Sequence, residues 1–125
     1  MGGRGQKYTV IKRLPNYGNA VIPRNKVKNY VLNPGKDPNK AKFFANLGYN
    51  MQNFKMLISD IKSAVATTKA LHYVNKDKFG NDVYQVNVTL GINKKAIVTT
   101  GWIVEPGSNV PKLVTLYHNK KLDGR

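Results

Sequence analysis

The 125-residue sequence contains no cysteine. That excludes disulfide scaffolds, cysteine-ligated zinc, iron–sulfur clusters and thiol nucleophiles. Histidine occurs only at His72 and His118, and there are only six carboxylates, scattered along the chain. So few ligands make a protein-built metal cage hard to assemble, and carboxylates this dispersed fit a two-carboxylate glycosidase poorly. Neither a metal nor a cofactor is expected. The sequence has no phosphate-binding loop, dinucleotide fingerprint, GxSxG elbow or HExxH pair. No apolar run approaches the ~20 residues that cross a bilayer, and no charged-then-apolar signal region opens the chain. No membrane partner is expected for the isolated domain.

What the chain has in excess is positive charge: 21 Lys+Arg against six Asp+Glu, a formal net charge of +15. A surface this basic attracts polyanions, above all nucleic acid. The charge is spread, with 12 basic residues in 1–62 and nine in 63–125, so it belongs to the folded body rather than to a tail. Lysine greatly outnumbers arginine. Lysine meets phosphate as a point charge, whereas base readout in a groove leans on bidentate arginine. Backbone recognition is therefore favoured over sequence reading.

The length suits one domain, expected at residues 7–125 after a Gly-rich flexible leader at 1–6. Residues 7–14 read as a short strand, followed by a turn at Pro15–Gly18. Asn25 reads as the N-cap of a short helix that must stop before Pro34. Asp37 is placed to cap a second helix with Pro38 at its first position and Gly48 at its end. In a third helix, from about residue 50 to 66, Met51, Phe54, Leu57, Ile58, Ile61 and Val65 recur at spacings of three and four. From there the period becomes two. Strands are expected at 69–76, 82–90, 95–104 and 111–119, with Tyr84, Val86, Val88 and Leu90 on one face and Gln85, Asn87 and Thr89 on the other. Helices followed by a meander describe an α+β domain, its N-terminal helices packed on an antiparallel sheet of about four strands.

A basic, cysteine-free domain with few carboxylates retains the parts for metal-independent RNA cleavage. There the 2′-hydroxyl is the nucleophile, and the protein supplies a base, an acid and cations or hydroxyls around the phosphate. His72, in the apolar run Leu71–Val74, is the leading base candidate, as readily a structural histidine as a catalytic one. His118 is a phosphate contact or second acid/base, or simply an exposed residue. Thr115 and Tyr117, two apart on a strand, project from one face and can present two hydroxyls to a phosphate. Thr100 and Trp102 share a face of the neighbouring strand; Trp102 is core or a platform for an unpaired base. Lys42, Lys94, Lys95 and Lys112 are phosphate-contact candidates.

The segments AKFFANLGY (41–49), VTTGWIV (98–104) and PKLVTLY (111–117), in that order, resemble an uncharacterised bacterial domain family with the pattern KAxFFxxLGY, VxTxWI and PRLVTxY. That family often closes very large haemagglutinin-like exoproteins, the toxin position of contact-dependent growth inhibition (CDI) systems. The resemblance spans about residues 25–118. It implies an interbacterial toxin, exported as part of a cell-surface exoprotein and acting in the cytoplasm of a target bacterium. Such toxins are usually nucleases, often RNases aimed at tRNA, with the barnase/EndoU/colicin/RelE (BECR) type of fold, in which N-terminal helices precede a curved antiparallel sheet. It also implies a cognate immunity protein, which against this charge would be acidic, and leaves room for a host translation factor. In EndoU-like and RNase A-like toxins a Ser/Thr-x-Tyr pair on a late strand accompanies a catalytic histidine. Thr115-x-Tyr117 matches the pair, His72 is the candidate histidine, and Lys112 stands where the pattern more often has arginine.

The expectation is a metal-independent ribonuclease with His72, Thr115, Tyr117 and Lys112 catalytic. Thr100, Trp102, Lys42, His118, Lys94 and Lys95 would contact the substrate. The alternative is a non-catalytic basic module that binds RNA or DNA.

Overall fold

The computed structural model describes residues 6–124, so all but Gln6 of the expected leader lies outside the described residues. Five strands, β1 (Tyr8–Ile11), β2 (Ala70–Tyr73), β3 (Asp82–Leu90), β4 (Ala96–Val104) and β5 (Lys112–His118), form one antiparallel sheet in sequence order. The sheet is not closed. The expected count of about four is corrected to five by the first segment: β1 reaches across the helical region to pair with β2, Tyr8 opposite Tyr73 and Ile11 opposite Ala70.

Three helices intervene between β1 and β2: α1 (Arg24–Lys26), α2 (Pro38–Leu47) and α3 (Phe54–Val65). α1 continues directly into a π-helical turn, Val27–Val31. Asn25 does not cap it. The helix starts two residues earlier, after Pro23, whose fixed φ of −62° leads into the first turn, and no side chain satisfies its end. α2 is built as its residues dictate: the Asp37 carboxylate accepts the Lys40 N–H at 3.1 Å, Pro38 opens the first turn, and Gly48 ends it at φ 106°. A Cβ on Gly48 would also lie 2.9 Å from the Ile92 Cβ, so this position needs glycine twice over.

All three helical segments contribute to a single core on one face of the sheet. Leu57, Ile61 and Val65 of α3 and Phe44 and Leu47 of α2 bury against Val86, Val88, Val98, Trp102, Leu113 and Leu116. Each fully buried aliphatic side chain contributes about 1.5–3 kcal/mol relative to exposure, so this face carries most of the stability. Tyr49 links α3 to the β3–β4 turn. Its hydroxyl donates to Asp60 at 2.6 Å and accepts the Gly91 N–H at 3.1 Å. Burial and the Asp60 carboxylate push the Tyr49 phenol well above its ordinary pKa. Among the described residues no helix is long and apolar enough to cross a membrane.

Candidate nucleic-acid interface on the open face of the sheet

The register decides which side chains leave the core. Residues directly opposite in an antiparallel pair share a face. One chain of partners runs Val10, Leu71, Gln85, Gly101, Thr115; the next runs Asn87, Thr99, Tyr117. Tyr8 and Tyr73 pair beside them, and Lys112 stands opposite Ile103 on the same side. These side chains occupy the face opposite the helices.

A bulge puts Thr115 and Tyr117 there. On strict alternation, Leu113, Thr115 and Tyr117 would all face the same way. The register slips between Gly101 and Trp102, which leaves Val114 as an extra residue, so that Leu113 and Leu116 both enter the core and Thr115 and Tyr117 both leave it. Gly101 makes the room: a Cβ there would stand 2.8 Å from the Thr115 Cβ.

The amide and hydroxyl groups in the middle of this face satisfy one another. Tyr73 Oη donates to Gln85 Oε1 at 2.7 Å, and Gln85 Nε2 donates to Asn87 Oδ1 at 3.1 Å. Thr99 Oγ1 donates to the same Asn87 oxygen at 2.8 Å, and Asn119 Nδ2 donates to Thr99 Oγ1 at 2.9 Å. Burial lifts the Tyr73 phenol above its ordinary pKa, with Tyr117 and Tyr8 adding to the effect, so Tyr73 remains a neutral donor. Around this fixed network the exposed groups differ. Tyr8 is 52% and Tyr117 42% exposed, and the hydroxyls of Thr115 and Tyr117 have no hydrogen-bond partner among the described residues. Along the outer edge of β5, which Val21 bridges at Lys112, Lys26 and Lys40 line a groove of about 170 Å³ with Val27, Val31 and Thr115, which brings two cations to the Thr115 end.

The expected site residues do not all meet. Thr115, Tyr117 and Lys112 share the open face. His72, opposite Tyr84, lies on the helix-covered face, at its margin. The sheet therefore separates His72 from the Thr-x-Tyr pair it was expected to serve. Its ring stacks on Tyr84 at 4.3 Å, and its Nε2 is 3.7 Å from Asp82, beyond hydrogen-bonding distance. Asp82 pairs instead with Lys76 at 2.8 Å, and Lys76, then His72, hold its carboxyl below the usual range against a burial effect of opposite sign.

Thr100 and Trp102 are both fully buried, which removes them from any surface that a base could reach. Trp102 Nε1 donates to Thr100 Oγ1 and Thr100 Oγ1 donates to Val86 O, each at 2.8 Å, so both polar groups are used inside the core. Lys42 is exposed on α2 and Lys94 and Lys95 on the β3–β4 turn, and Lys95 Nζ bonds Gly91 O at 2.9 Å.

His118 is not incidental. Its Nε2 lies 2.6 Å from Asp123 Oδ2 and its ring stacks on Phe43 at 4.2 Å, in a cavity of about 200 Å³ also lined by Lys94 and Lys95. Asp123 Oδ1 in turn accepts the Ile97 N–H at 2.9 Å, so the pair ties the C-terminal turn to β4. Among the described residues no group of three His or carboxylate side chains could hold a metal.

Sequence reasoning missed Tyr8, Tyr73, Lys26 and Lys40 as site residues. It had placed Gln85, Asn87 and Thr89 on one face, and this alternation was the available signal for the polar row.

The domain is α+β, with one sheet face sealed by helices and the other carrying tyrosines, amides and hydroxyls. The chain belongs to the DUF6883 family, described as a domain of unknown function, which it matches over residues 13–120. No curated protein and no solved structure gives a significant match.

Proposed function

We propose that this domain binds a single-stranded stretch of RNA across the open face of its sheet and cleaves it there without a metal ion. The observation that carries the reading is the unpartnered Thr115 and Tyr117 hydroxyls, held out on a face that also bears exposed tyrosine rings, in a chain of net charge +15. Tyrosine rings stack on unpaired bases of any identity, and lysines track the backbone. Lys112 shares the open face with the pair, and Lys26 and Lys40 line the groove that reaches Thr115.

In the reaction, the 2′-oxygen bonds to phosphorus as the bond to the 5′-oxygen breaks, giving a 2′,3′-cyclic phosphate and a 5′-hydroxyl end. Thr115 and Tyr117 donate to the phosphoryl oxygens as charge builds on them, and Lys112 offsets that charge. The proton of the 2′-hydroxyl leaves to water, and the departing 5′-oxygen takes a proton from water, so the proton count closes and Tyr117 keeps its own. His72 has no part in this scheme, because it stands on the other side of the sheet. The likeness of residues 41–49, 98–104 and 111–117 to exoprotein toxin domains supports a bacterial RNA, tRNA among the candidates, as the target. It also supports an acidic immunity protein as the cognate partner. Helices that precede four of the five antiparallel strands support a BECR-type fold.

The second reading is a non-catalytic RNA-binding module. It is favoured by one observation: neither histidine reaches the open face.

Incubation of the 125-residue chain with total bacterial RNA in excess EDTA separates the two. Cleavage with cyclic phosphate ends is expected. Tyr117→Phe or Thr115→Ala should slow it by about 10²-fold, the scale of removing one oxyanion donor, with the fold unchanged. His72→Ala should leave it intact. Intact RNA that is nonetheless bound would establish the binding module, and loss of cleavage in His72→Ala would overturn the site.

A further inference from the structure

Away from the open face, the helical layer carries a second concentration of charge with a different character. Arg24 and Lys28, from the α1 segment and its π-helical turn, both lie over the ring of Phe54, at 5.7 Å and 5.4 Å from its centroid. Lys55 and Lys62 of α3 line an adjoining cleft with Arg24, Ile22 and Ile58. No carboxylate lines either this cleft or the one around Phe54. The ion pairs among the described residues involve His72, Lys76 and His118, none of them here. The acid of α3, Asp60, points to the other flank of the helix and is bonded to Tyr49. Four cations are thus gathered without counter-charge, two of them held in place by one ring.

The chemistry differs from that of the sheet face. Phe54 packs against the core with Arg24 and Lys28 lying over its ring, and no row of amides lines its cleft to read base edges. Cations gathered at fixed positions suit regularly spaced phosphates, which is how a duplex is held. We propose that this patch, Arg24, Lys28, Lys55 and Lys62 around Phe54, docks the phosphate backbone of a double-stranded RNA stem. The open face takes the unpaired segment beside it. The proposal rests on the reading of RNA as the ligand and narrows the substrate class to structured RNA with a stem and a loop.

The test measures binding of the whole chain by fluorescence anisotropy, over a range of salt, with three probes. These are a single-stranded oligouridine of roughly ten nucleotides, a hairpin with a stem of roughly 16 base pairs, and phosphatidylglycerol vesicles. The variant Lys28→Ala/Lys62→Ala should weaken hairpin binding by about tenfold and shallow its salt slope by about one per removed cation, leaving oligouridine binding unchanged. Lys28→Arg/Lys62→Arg, which keeps the charge, should bind the hairpin as the wild type does, so a folding defect cannot pass for lost contact. Equal loss for both RNAs, or none for either, overturns the stem site while leaving RNA binding standing. Binding to vesicles that exceeds binding to the hairpin, and falls in the Ala variant, assigns the patch to a membrane surface and overturns it too. Failure of the wild type to bind any RNA removes the underlying reading as well.

Discussion

The two faces of the sheet are made from the same strands and do opposite work. On the covered face, Val86, Val88, Val98, Thr100 and Trp102 are each 2% exposed or less, and the Trp102 and Thr100 polar groups are consumed by internal hydrogen bonds. On the open face, Gln85, Asn87, Thr99 and Asn119 bond to one another in a row, and beside it the Thr115 and Tyr117 hydroxyls have no partner among the described residues. The difference teaches that a polar side chain in a sheet is informative by its surplus. A hydroxyl whose capacity is spent locally is architecture, and one whose capacity is unspent is available for chemistry.

Substitutions on each face should separate these roles, and the largest effect belongs to the covered one. Trp102→Ala should destabilise the fold by about 3–5 kcal/mol in urea unfolding, from lost burial and the cavity left behind. Saturating RNA should leave the wild-type Trp102 fluorescence unshifted, since the ring never meets it. A large RNA-induced change would break the distinction.

Gly101→Ala tests the boundary between the faces. Its Cβ would meet the Thr115 Cβ at 2.8 Å, so a cost of about 1–3 kcal/mol is expected together with weaker RNA binding. Gly18→Ala, with nothing within 4 Å, is the control and should stay within about 0.5 kcal/mol of wild type.

Tyr49→Phe should cost about 1–2 kcal/mol by removing the partner of the Asp60 carboxylate and the Gly91 N–H, without touching RNA binding. Because the Tyr49 pKa is raised on folding, its contribution is complete below pH ~10 and is lost as the pH rises towards the folded value. The wild type should therefore lose stability at alkaline pH more steeply than the variant, as thermal melts across that range would show.

How far the sequence foretold this arrangement differs by element. α2 was legible because its caps are local: Asp37, Pro38 and Gly48 each act within one turn. β3 was legible over 82–90 because nine residues of alternation leave no doubt about period. The face of His72 was not, because β2 has four residues and its orientation is set by pairing with Tyr84 across a loop. Thr100 and Trp102 fell correctly on one face of β4. Which face met the helices was hidden, since Ile97 and Ile103 make the opposite face apolar too. In β5 the bulge at Val114 breaks the parity that any reading of alternation assumes. The His118–Asp123 contact closes through a C-terminal turn whose path no spacing rule announces.

The measurement that tests the central claim most directly is a titration of the ring-proton NMR signals of the seven tyrosines with a short single-stranded 2′-O-methyl RNA, which lacks the 2′-hydroxyl nucleophile and so is not cut. The account predicts that Tyr8, Tyr73 and Tyr117 shift together while Tyr49 and Tyr84, inside the core, stay still. Unmoved Tyr117 and Tyr8 signals at saturating RNA would place the ligand elsewhere and contradict it.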